Sequence, residues 1–215
     1  MALPPKETYF FFEEPHSDFR GILAARLFPK RILTDTNTFK LPNDANTYKF
    51  TIIDASRADK FDEEKGFIGT PLIFLFDCTK ENLKHAIDFF KPQKALAFKN
   101  EEACLEYLYT VIAQTVYGAI IDFDEEEVFS IFQVYRADTN SNVGIINCCD
   151  ANNMPNLPIG TNLFFTNVVN SMEAAHKILT ATTIFKNISK YATNCTTALI
   201  IAPHKKSYQK VFWCE

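Results

Sequence analysis

Leu72-Ile73-Phe74-Leu75-Phe76-Asp77-Cys78-Thr79 opens the stretch that decides the fold, and Ala95-Leu96-Ala97-Phe98 closes it. The first five residues are apolar without alternation, as in a strand buried on both faces. Thr79 is a good helix cap. After it, Leu83, Ala86, Ile87 and Phe90 recur at i, i+3, i+4 and i+7, which makes one apolar stripe on a helix. Pro92 ends that helix and a second apolar run follows. A strand, a helix and a strand at this spacing predict a right-handed parallel crossover.

Upstream, Tyr9 to Phe12 reads as a short buried strand and residues 17–28 as a helix stopped by Pro29. Thr38–Leu41 and Tyr48–Ile53 flank the turn signal Pro42-Asn43-Asp44-Ala45-Asn46 and look like a hairpin. Downstream, Glu101–Tyr117 is a second helix with acids in its first turn. Ala119–Ile121, Val128–Tyr135, Val143–Cys148, Leu163–Val169 and Ala198–Ile201 read as strands. Ser171 caps a further helix that carries Ala175, Ile178, Leu179, Phe185 and Ile188.

The pattern repeats. Ile68 to Ile87 aligns without a gap on Ile159 to Ile178, each leading from loop to strand to helix, so residues 50–98 find a weak echo in 143–201. The expected architecture is one α/β domain over residues 1–215. It has three layers, with helices on both faces of a mixed, mostly parallel sheet built from two similar β-α-β halves.

Composition narrows the function classes. Of 215 residues, 47% are apolar and 22% charged, which is ordinary for a globular protein. There are 21 Phe against one Trp, a large apolar payload with no polar handle. The net charge of −4 argues against nucleic-acid binding, which needs a basic face. No apolar run reaches the roughly 18 residues of a membrane span. The first residues lack the basic and apolar regions of a signal peptide. Six cysteines without a Cys-x-x-Cys pair give no zinc spacing and fit a reducing compartment, so a cytoplasmic location, or the nucleus, is expected.

Motifs for bound groups are missing from the sequence. It contains no Gly-x-Gly-x-x-Gly, and with six glycines a close backbone approach to a dinucleotide is not expected. It contains no Gly-x-Ser-x-Gly elbow either. No cofactor and no metal is therefore expected. Phe50 to Ala55, followed by Leu72 to Thr79 and a helix, resembles the middle of small GTPases, where one strand ends in aspartate and a strand–Asp–Thr–helix phrase follows. The resemblance covers residues 9–100. The phosphate loop of that family is absent; Glu13 to Gly21 stands in its place, and its carboxylates would repel phosphate. The base-reading motif is also absent, since Ala97-Phe98-Lys99-Asn100 does not match it. The resemblance implies a pseudo-GTPase that binds partners.

Ligands of open α/β sheets sit beyond the carboxyl ends of the strands. That rule singles out Asp54, Asp77, Asn147 and Asp150, and the carboxylates among them could act as acid and base. Separately, Cys148 beside Asp150 is a candidate thiol nucleophile, and His16 stands beside the triad residue types Ser17 and Asp18. The competing reading is that such residues cap helices and start turns. The final Tyr208 to Glu215 is unusually apolar. Its mixed alternation suggests an edge strand, and the alternative is a docking segment with Phe212 and Trp213 as partner-binding residues.

The reading preferred from sequence is a non-catalytic protein–protein interaction module, an adaptor, assembly chaperone or pseudoenzyme. Its protein partners would be bound through an aromatic surface, and homo- and hetero-oligomers both stay open. The alternative is a small-molecule or nucleotide-acting enzyme with its site at the strand ends.

Overall fold

A computed structural model describes residues 10–12, 48–58, 61, 68–69, 72–117, 119–121, 125–138, 143–180, 192–202 and 207–214. The expected helix at 17–28 and the first hairpin strand at 38–41 lie outside the described residues, as does His16.

The strands are β1 (Phe10–Phe12), β2 (Tyr48–Asp54), β3 (Leu72–Phe76), β4 (Lys94–Phe98), β5 (Ala119–Ile121), β6 (Tyr135–Arg136), β7 (Ile145–Asp150), β8 (Thr161–Val169), β9 (Ala192–Ile201) and β10 (Tyr208–Cys214). The helices are α1 (Lys80–Phe90), α2 (Glu101–Tyr117), α3 (Glu125–Ile131) and α4 (Met172–Thr180). The strands form one sheet in the order β1-β2-β3-β4-β7-β10-β8-β9-β5, with β6 also on β4. β1, β2, β3, β4 and β7 run parallel in one block, and β8 and β9 run parallel in another. β10 lies antiparallel between β7 and β8 and joins the two blocks.

The decisive stretch folds as its residues dictate. Thr79 and Asn82 form a reciprocal capping box at the start of α1. Lys91 ends the helix in the left-handed conformation, just before Pro92. Leu83, Ala86 and Phe90 are buried, while Ile87 is half-buried against the same cluster. The second block repeats the plan, since β8, α4 and β9 form another strand–helix–strand unit with parallel strands. The aligned glycines that lead into β3 and β8 share a conformation, Gly69 at φ 78° and Gly160 at φ 97°. Only glycine adopts such angles without strain.

Both sheet faces are covered. On one face, α2 and α3 close a core containing Phe74, Phe98, Tyr107, Phe132, Phe164 and Phe212, drawn from both blocks. On the other face, α1 packs over Ile53, Ile73, Leu75 and Ala95. Farther along that face, Leu157 and Met154 cover Phe165, Val211 and Trp213, and α4 covers Val169 and Leu199. Among the described residues, phenylalanines form aromatic clusters in the core, with stacked or edge contacts such as Phe164–Phe212 at 5.8 Å and Tyr107–Phe212 at 6.1 Å.

Two expectations are corrected. Val128–Tyr135 is not a strand. Glu125–Ile131 is helical, and strand structure there is confined to Tyr135–Arg136. Val128, Phe129, Ile131 and Phe132 are all buried, a helical i, i+1, i+3, i+4 pattern. The last strand is not an edge. β10 pairs on both sides, and its polar residues gather at one end, where neighbouring strands supply partners. Gln209 donates to Asn167 Oδ1 at 2.8 Å, and Lys210 meets Asp150 at 3.2 Å. Phe212 and Trp213, 0% and 9% exposed, are core residues in this fold.

Gly144, just before β7, is required by close approach. A Cβ there would sit 2.6 Å from Cys214 Sγ and 3.0 Å from the Phe132 carbonyl oxygen. Cys214 Sγ itself donates to that carbonyl at 3.0 Å. Gly144→Ala should therefore cost about 1–3 kcal/mol in chemical denaturation, the usual cost of overpacking. Cys214→Ala should restore part of the loss in the double variant, because it removes the nearest atom. An unchanged midpoint for Gly144→Ala would contradict this packing.

Candidate functional site

The carboxyl ends of β2, β3, β4, β7 and β8 share one edge of the sheet. Asp54 ends β2, and Asp77 follows β3, its neighbour. Asp54 Oδ1 accepts from the Ser56 amide at 2.9 Å and the Ser56 hydroxyl at 2.6 Å, which makes a local turn. Asp77 stands in the left-handed region at φ 52°, a conformation aspartate tolerates better than most residues. Its carbonyl accepts from Asn82 Nδ2 at 2.9 Å, and its carboxylate accepts from the Glu101 backbone amide. Asp77 thus ties the end of β3 to the beginnings of both α1 and α2. Asn100 adds a cap to α2 by accepting from the Ala103 amide at 2.9 Å.

Burial and the nearby Asp54 charge hold the Asp77 carboxyl above its ordinary value, while the Glu101 amide opposes them. A carboxyl raised on folding adds stability below its unfolded pKa, and that stability is lost as pH rises through the folded value. At neutral pH the ionised Asp77 is then a small liability. Asp77→Asn keeps an oxygen for the Glu101 amide and tolerates the positive φ. The expected result at pH 7 is unchanged or slightly raised stability, by less than about 1 kcal/mol for so exposed a group. A clear loss at pH 7, absent at pH 3, would show that the charge itself holds the start of α2.

Burial disfavours the thiolate form of the thiols beside this edge. Burial pushes Cys78 up to about 12, its contact with the Phe98 backbone opposing and the charges of Asp77 and Asp54 adding to it. Burial also raises Cys148 far above the ordinary range, although Lys210 pulls it back. Cys148 and Cys149 are adjacent on β7, so their side chains leave the sheet on opposite faces.

At the seam, Asp150, Lys210 and Thr166 stand in register across β7, β10 and β8. The Lys210 side chain is 12% exposed and reaches Asp150 at 3.2 Å and Glu102 of α2 at 3.4 Å. Burial works against its charge, but Glu106 and Asp150 outweigh it, and the ammonium pKa is raised. Thr166 Oγ1 is buried with no hydrogen-bond partner among the described residues. Of this row the strand-end rule reaches Asp150 but neither Lys210 nor Thr166, because their pairing depends on β10 entering the centre of the sheet.

The structure thus brings Asp54 and Asp77 to adjacent strand ends and places Cys148 on β7 in register with Phe212 of β10; His16 lies outside the described residues. Among the described residues no group of three or more His, Cys, Asp or Glu could hold a metal ion. Nor is any described helix long and apolar enough to cross a membrane. No protein-family model matches the chain, and no curated protein matches its sequence.

Proposed function

We propose that the protein is a non-catalytic protein–protein interaction module, an adaptor or assembly factor carried on an α/β frame. One observation carries this reading: the described polar groups at the carboxyl ends of β2 and β3 make hydrogen bonds that shape the fold. Asp54 closes the Ser56 turn, Asp77 receives the Glu101 amide, and Thr79 and Asn82 cap α1.

The experiment is affinity capture with the full chain as bait, quantified by mass spectrometry. At least one protein should be retained in near-stoichiometric amount over a bait of equal size and charge. Retention of none would count against the reading. The same proposal holds that GTP and ATP are not bound tightly, because the phosphate-cradling motif is missing and Glu13 and Glu14 stand in its place. Calorimetric titration should give no saturable heat, whereas micromolar affinity would contradict it.

A further inference from the structure

We draw no further inference here: the strongest candidate, the row of Asp150, Lys210 and Thr166 across β7, β10 and β8, carries nothing, because Lys210 is already held by Asp150 and Glu102 and nothing in the structure shows what would meet the buried Thr166 hydroxyl.

Discussion

Deleting residues 208–214 should abolish the cooperative unfolding transition. β10 is the strand that joins the two parallel blocks, and its removal leaves β7 and β8 with unpaired edges in the middle of the sheet. Val211, Phe212 and Trp213 are buried, and each contributes about 1.5–3 kcal/mol of apolar burial, roughly 5–8 kcal/mol together. That is comparable to the whole stability of an ordinary domain, about 5–15 kcal/mol. The deletion also opens both cores, since Phe212 belongs to the one under α2 and Trp213 to the one under Leu157. Circular dichroism should show a broad, non-cooperative melt, with precipitation as two open strand edges meet. A sharp transition within a few degrees of the full chain would mean that β10 is not in the centre of the sheet.

Leu83→Asp has the next largest effect. Leu83 is 5% exposed on α1 and packs with Ala86 and Phe90 against the sheet. Truncation to alanine alone would cost about 2–5 kcal/mol. Aspartate adds the cost of a buried, unpaired charge, several kcal/mol more. The variant should be unfolded or molten at neutral pH. Ile87→Asp, at a half-buried position, should be milder. Equal effects at the two positions would contradict the orientation of α1.

The fold was legible in the sequence wherever one short segment carried its own signal. The run Leu72–Phe76, the Thr79 cap and the Leu83–Phe90 stripe specify β3, α1 and their packing without reference to the rest of the chain. Gly69 and Gly160, at matching places in the aligned Ile68–Ile87 and Ile159–Ile178 stretches, both have positive φ. Long-range pairing was not legible. β10 looks like an edge strand because Gln209 and Lys210 interrupt its apolar faces, yet Asn167, Asp150 and Glu102 accept their polar ends. Val128–Tyr135 reads as a strand because its closely spaced apolar residues also suit a strand period; their burial on α3 goes with the helix instead. At the candidate site, the sequence placed Asp54 and Asp77 correctly at strand ends. It could not tell capping from chemistry, since both need a short polar side chain at the same place.

The central claim is that the strand-end groups shape the fold and that the protein works by binding another protein. The most direct measurement repeats the affinity capture with Asp54→Asn, Asp77→Asn and Cys148→Ala combined in one full-length variant, after its melting temperature has been matched to the parent. The account predicts that the parent and the variant retain the same protein in the same amount. Loss of that protein from a folded variant, or retention of no protein by the parent, would contradict it.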